Sequence, residues 1–415
     1  VPAALAFRTT NKVGAVVVLG YAIAIAGGVR AWERRRRRHR IQQAAGVVTV
    51  GLVLVGASGP MWNGQLYPLG YDVPRWWTAA LADLDARHHA SRVLVVPGST
   101  GGNYRWGMRS PDDLFPSFLE RPVAARNTVI GRGSPSGNFL VGFDTELAEG
   151  TLPDGTISTM ARYLGASDVL VRNDLLTEEW GGPTGAGVEA TVADDPGLSK
   201  GRTYGPEGTD TIPGRSGPAT RAAREADGAD AAVTPLSVHA VEDPIPVVHL
   251  APVDRQVLVD GDGSAFSELS WAGLLDGTPT VRYLGDLDRA GLAGALDDGG
   301  RIVLTDTNRR RAWDINRVTN ATSATLAAGD DLDAGNGASA TLWPDEPDKQ
   351  TVTEVDGAAS VSASLPAFGL HPYGRPGQAF DGDPTTSWQT GALGTARGDH
   401  LDLVLDQPEV ISSVS

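Results

Sequence analysis

The chain has 415 residues, enough for two or three domains, and 41% hydrophobic against 20% charged residues excludes a wholly disordered protein. It holds no cysteine, which excludes a disulfide framework, thiol chemistry and thiolate metal sites. The net charge of −15 is unevenly spread: the first 62 residues carry nine cations and one acid, Glu33, so the remainder is strongly acidic. That argues against nucleic acid as a partner of residues 63–415.

Residues 13–29 and 44–62 are uncharged stretches of 17 and 19 residues, near the minimum for a helix crossing a bilayer. Between them, residues 30–40 hold seven arginines. Two transmembrane α-helices joined by an Arg-rich cytoplasmic loop are therefore expected over residues 1–62, with residues 63–415 extracytoplasmic. An arginine run alone suits nucleic acid, but its apolar flanks favour topology. Trp62, Tyr67, Tyr71, Trp76 and Trp77 suit the headgroup zone where the chain would leave the membrane. The chain lacks an initiator Met and stops within an apolar pattern at 410–414, so a piece of a longer protein is expected.

Residues 63–182 read as the first part of an α/β region. Asp72 or Pro74 opens a helix running to about His88, residues 92–97 form a buried strand, 159–164 a helix and 168–172 a second buried strand. The loop after the first strand carries Asn103, Tyr104, Arg105 and Trp106, where an aromatic face beside a guanidinium suits a sugar or a lipid phosphate. Residues 183–232, rich in Gly, Pro, Thr and Asp, read as an insertion or linker. The α/β pattern returns over residues 233–350. Strands are expected at 246–251, 255–259, 280–283 and 301–305, and helices at 267–275 and 287–296. Ligand groups gather at the carboxyl ends of parallel strands, which singles out Asp260, Asp262, Asp306 and Asn308, with Arg309 of the following arginine triplet.

From about residue 351 short alternating stretches (358–365, 401–405, 410–414) indicate the start of a β-sandwich. Between them, residues 379–388 (AFDGDPTTSW) place Asp381, Asp383 and Thr386 around Gly382, hard oxygen donors of the kind that hold Ca²⁺. The bland alternative is a plain Asp-Gly turn over a packed Trp388. This decamer resembles the loop of discoidin-like (coagulation-factor C-type) carbohydrate-binding modules, truncated here to residues 351–415.

Taken in order, VLVVPGSTGGNYRWG (93–107), YLGASDVLVRNDL (163–175), RQVLVDGDG (255–263), VLTDTNRRRAW (303–313) and AFDGDPTTSW resemble the actinobacterial membrane arabinofuranosyltransferases of the glycosyltransferase C superfamily. The resemblance implies transfer of arabinofuranose from a polyprenyl-phosphate donor to cell-wall arabinan or galactan, at the cell membrane, with no nucleotide cofactor. It also implies a catalytic acid upstream of these residues, so no catalytic residue is assigned. Residues 63–415 would bind or position the polysaccharide acceptor. The alternative is a non-catalytic, membrane-anchored glycan-binding protein.

Overall fold

A computed structural model describes residues 73–87, 90–99, 101–107, 114–126, 135–177, 182–208, 233–311, 325–329, 349–364, 374–384, 386–390 and 396–410. All belong to one compact unit, Asp72–Ser415.

The first sheet has five strands in the order β2-β1-β3-β5-β4: β1 Arg92–Val96, β2 Val123–Ala124, β3 Ala166–Arg172, β4 Arg202–Tyr204 and β5 Leu236–Ala240. Strand β1 runs parallel to β2 and β3, whereas β5 is antiparallel to both β3 and β4. Every residue of β3 and all but the first of β1 are buried, as expected of strands covered on both faces. Helix α1 (Arg75–Asp85) opens directly after Pro74, whose fixed φ suits that place, and buries Trp77, Ala80, Leu81 and Leu84 at helical spacing. The short helix α2 (Leu114–Phe118) precedes β2, and α3 (Pro135–Glu149) and α4 (Thr156–Tyr163) complete the crossover from β1 to β3.

Of residues 183–232, read from the sequence as an insertion or linker, the described part 183–208 includes a helix packed on the core of this body. Helix α5 (Gly185–Ala193) is capped by Thr184, whose hydroxyl accepts from Gly187 N at 3.1 Å, and it sends Val188 and Val192 into the core. Residues 209–232 of that segment lie outside the described residues.

The second sheet is three parallel strands in the order β7-β6-β8: β6 Gln256–Asp260, β7 Thr280–Tyr283 and β8 Arg301–Leu304. Helix α6 (Phe266–Trp271) follows a 3₁₀ turn at Gly263–Ala265, and α7 (Arg289–Asp297) is capped by Asp288. The strand expected at 246–251 is absent. Pro244, Pro246 and Pro252 remove backbone donors there, and Val248 and Leu250 stand exposed.

The two sheets share one apolar core, into which Val96 and Val171 of the first and Val257 and Val259 of the second project. Helix α3 lies between them at close quarters. A Cβ on Gly142 would sit 2.7 Å from Ser264 Cα, and one on Gly263 2.8 Å from Phe139 N, so only glycine permits this approach. Phe266 meets Phe139 edge-on at 4.6 Å and Tyr163 at 5.3 Å across the same seam.

Two expectations are corrected. Among the described residues no helix is long and apolar enough to cross a membrane. Helix α3, of 15 residues, is shorter than a bilayer requires and carries Asp144, Glu146 and Glu149. The stretches 13–29 and 44–62 expected as transmembrane helices lie outside the described residues, and the architecture is mixed α/β without them. In place of a β-sandwich, the described part of 351–415 has one antiparallel pair, β9 (Ala358–Ala363) with β10 (Leu401–Leu405).

The amino end of the first sheet is held by Arg121. Its buried guanidinium donates to Asp168 Oδ2 at 2.9 Å on β3, to Leu84 O at 2.9 Å at the end of α1, and to Arg92 O at 3.1 Å on β1. The exposures of the Arg121 and Asp168 side chains are 0% and 2%; Asp168 keeps a second cation, Arg87 at 3.0 Å, whereas removing Asp168 strands the Arg121 charge away from water. Asp168→Ala should therefore lower the stability of the chain by about 3–5 kcal/mol in chemical denaturation. A loss under about 1 kcal/mol, the size of a surface ion pair, would contradict the clamp.

Candidate functional site

At the carboxyl end of the first sheet, the loop carrying the four candidates Asn103, Tyr104, Arg105 and Trp106 folds back against the residues that follow β3. Arg105 N donates to Asp174 O at 2.8 Å and Leu176 N to Asn103 O at 2.9 Å, which pins the loop as a strand would be pinned. Tyr104 is fully buried, and Asn103, Arg105 and Trp106 are half-buried. Tyr104 and Trp106 stack with ring centroids 5.0 Å apart and planes 19° from parallel. The sequence placed these four residues together, and the structure keeps them so.

Three supporting residues were not singled out from the sequence. Arg172, the last residue of β3, is buried and donates from Nε to Pro97 O at 2.9 Å and from a terminal nitrogen to the Tyr104 hydroxyl at 2.8 Å. Asp174, also buried, accepts at one oxygen from the indoles of Trp77 (2.8 Å) and Trp106 (3.0 Å). Asp144 of α3 accepts from Gly98 N at 2.9 Å, at the first turn of the loop, with Arg126 3.9 Å away. Burial raises the pKa of Asp144, against the lowering effect of Arg126. Burial likewise pushes Asp174 up to about 7, against the indoles and Arg172. A charged residue directly after the apolar run Val169–Val171, as Arg172 is, was the available signal. Sequence alone cannot say that such a residue turns inward.

The second cluster lies at the carboxyl ends of β6 and β8. Asn308 Nδ2 donates to Asp260 Oδ1 at 2.8 Å, and Arg311 donates to Asp262 Oδ2 at 2.5 Å and to Ser264 Oγ at 2.8 Å. Asp262 N in turn donates to Thr307 Oγ1 at 3.1 Å. The sequence-derived residues Asp260, Asp262 and Asn308 thus form one network, with Arg309 half-buried beside it and Asp306 exposed. Asp260, Asp262 and Asn308 hold the turn, and Arg309 lies beside them without joining their hydrogen bonds. This cluster is built on a different sheet from the aromatic loop.

Asp381, Asp383 and Thr386 do come together. The Thr386 hydroxyl donates to Asp381 at 2.7 Å and Asp383 N donates to it at 3.0 Å, across a turn with Gly382 at φ 76°. These hard oxygens are of the type Ca²⁺ takes, although a cation at Asp381 would have to compete with the Thr386 proton. Among the described residues no group of three or more His, Asp or Glu side chains is placed to hold a metal ion.

The sequence profile described as alpha-(1->3)-arabinofuranosyltransferase, N-terminal GT-C domain, matches residues 3–339. The chain belongs to this family. It is 29% identical over 441 residues to an alpha-(1->3)-arabinofuranosyltransferase of Mycobacterium tuberculosis, covering 97% of this chain and 30% of the relative. It is 28% identical over 393 residues to the protein of the same name from Mycolicibacterium smegmatis, covering 92% and 27%. Its fold is similar to the cryo-EM structure of arabinofuranosyltransferase AftD from mycobacteria, with a TM-score of 0.57 and 22% identity over 89% of this chain and 28% of that one. The chain therefore spans under a third of the length of these arabinofuranosyltransferase relatives. Both clusters and the seam between the sheets lie within the profile match, whereas Asp381, Asp383 and Thr386 lie beyond it.

The raised pKa of Asp174 gives a pH test. The native state keeps the proton until about pH 7, while the unfolded chain releases it near 3.8, the usual value for an aspartate. Between those values the native state binds more protons, so stability falls as pH rises, by up to about 1.4 kcal/mol per pH unit. Asp174→Asn should remove this part of the slope, gaining on wild type between about pH 4 and pH 7 in urea unfolding. Parallel wild-type and variant curves would show that Asp174 is ionised throughout.

Proposed function

We propose that this chain is the part of a polyprenyl-phosphate-dependent arabinofuranosyltransferase that binds and positions the arabinan or galactan acceptor. The observation that carries the reading is the family match over residues 3–339, which takes in both the aromatic loop and the arginine turn. The relatives are named alpha-(1->3)-arabinofuranosyltransferases, and the proposed reaction follows from that name. An acceptor hydroxyl attacks the anomeric carbon, the bond from that carbon to the donor phosphate breaks, and the hydroxyl proton passes to a base. No residue of this chain is assigned as that base.

Acceptor contact is proposed for Asn103, Arg105 and Trp106, with buried Tyr104 supporting the Trp106 ring from behind, and a second substrate contact for Asp306, Asn308 and Arg309. Two features support it. A stacked aromatic pair with polar neighbours suits the apolar face and hydroxyl edge of a sugar ring. Both clusters also stand at carboxyl ends of parallel strands, where open α/β sheets receive ligands. The proposed place of action is the outer face of the cell membrane, where a lipid-linked donor meets cell-wall polysaccharide. We also propose that the Asp381, Asp383 and Thr386 turn holds a structural Ca²⁺.

In the full-length transferase, Trp106→Ala should raise the acceptor KM about tenfold with kcat and the donor KM little changed, the pattern of lost acceptor binding. A fall in kcat at unchanged acceptor KM would remove the loop from acceptor binding. A full-length protein that binds arabinan but transfers no sugar would leave only a glycan-binding role. For the metal, adding Ca²⁺ should raise the unfolding temperature of wild type, and Asp381→Ala with Asp383→Ala should abolish the rise. No rise in wild type would dismiss the site.

A further inference from the structure

Several polar side chains of the turn after β8 are held by hydrogen bonds within it. Asn308 is bonded to Asp260, the hydroxyls of Thr305 and Thr307 share a hydrogen bond at 2.8 Å, and Arg311 is committed to Asp262 and Ser264. Arg309, half-buried between them, makes no side-chain hydrogen bond or ion pair among the described residues, and its Nε is shut off from water without an acceptor. Burial first, and then the positive charge of Arg311, lower the pKa of its guanidinium, while Asp306 and Asp262 act in the opposite sense. Asp262 is already spent on Arg311, and Asp306 is exposed, where water screens its charge.

Holding a half-buried cation beside a second cation costs stability unless an anion meets it. The backbone around Arg309 is meanwhile fixed. Asn308 Nδ2 reaches Lys349 O at 3.3 Å, buried Gln350 donates to Arg309 O at 3.5 Å, and Arg310 N donates to Thr351 O at 2.9 Å. The guanidinium is thus presented from a set frame at the carboxyl ends of β6 and β8, where ligands enter parallel sheets.

We propose that Arg309 is the recognition point for a phosphate oxyanion, carried either by a lipid-linked phosphate ester or by a soluble phosphate. The planar fork of a guanidinium matches two phosphate oxygens, and its two terminal nitrogens can donate to them end-on. This rests on the reading of the turn as a substrate-binding turn and gives its ligand a chemical class.

The full chain is titrated with inorganic phosphate at constant ionic strength, and separately floated with phosphatidylcholine vesicles with and without polyprenyl phosphate. Wild type should bind phosphate, and Arg309→Gln should weaken binding at least about tenfold. Arg309→Lys keeps the charge but loses the planar fork, and should lie between the two. Arg301→Gln, which removes a cation from the opposite end of β8, should leave binding unchanged. Arg309-dependent binding of inorganic phosphate alone assigns a soluble ligand, and Arg309-dependent flotation only with polyprenyl phosphate assigns the lipid. No Arg309-dependent binding in either arm, among variants that keep the wild-type unfolding midpoint, overturns the proposal. If that happens while Arg309→Gln still weakens arabinan binding by the full-length transferase, the phosphate assignment falls and the acceptor reading stands. Phosphate binding with arabinan affinity untouched supports the assignment and removes the turn from the acceptor site.

Discussion

The guanidinium of Arg172 is buried at the end of β3, and the geometry of the aromatic loop depends on it. One side donates to the carbonyl of Pro97, where β1 gives way to the loop, and the other to the Tyr104 hydroxyl. A buried cation is tolerable only with hydrogen-bond acceptors around it, and the loop supplies them in the Pro97 carbonyl and the Tyr104 hydroxyl. Asp174, two residues on, then receives the indoles of Trp77 and Trp106, so helix α1 and the loop share one carboxyl group. The half-buried Trp106 face is held in place by buried polar contacts, which is the way to keep a binding surface ordered before its ligand arrives.

The opposite ends of the first sheet are therefore treated alike. Arg121 gathers α1, β1 and β3 at the amino end, and Arg172 gathers β1, β3 and the loop at the carboxyl end. The second sheet repeats the device with Arg311, held by Asp262 and Ser264. Between the sheets, α3 can press against the Gly263 turn because both contact points are glycine. Asp144 and Glu146 sit on that helix and face different neighbours, Gly98 and Ser267, so α3 carries hydrogen bonds toward both halves. Burial pushes Glu146 up to about 7, with Glu268 and Glu149 adding to the effect.

Much of the α/β body was legible in the sequence because its central strands are continuous apolar runs. The runs at 92–97, 168–172, 255–259, 280–283 and 301–305 all became strands, shifted by a residue or two at their ends. What failed was local. Strand β5 was missed because Leu236, Ser237, Val238, His239 and Ala240 alternate weakly and hide two buried polar groups, Ser237 and His239, which bond each other at 2.9 Å. Helix α5 was missed because glycine and alanine dominate it, although Thr184 supplied a proper cap. The loop at 103–106 was found from its aromatic and cationic composition. The residues that set its shape were not, because Arg172 and Asp174 become visible only once β1 and β3 are neighbours.

The central claim is that the loop at the carboxyl end of the first sheet meets the polysaccharide acceptor. Amide hydrogen exchange of the full-length protein, with and without an arabinan oligosaccharide, tests it most directly. The account predicts slower exchange at residues 101–107 and 173–176 on adding the oligosaccharide. Unchanged exchange across both segments, with protection confined to other parts of the protein, would contradict it.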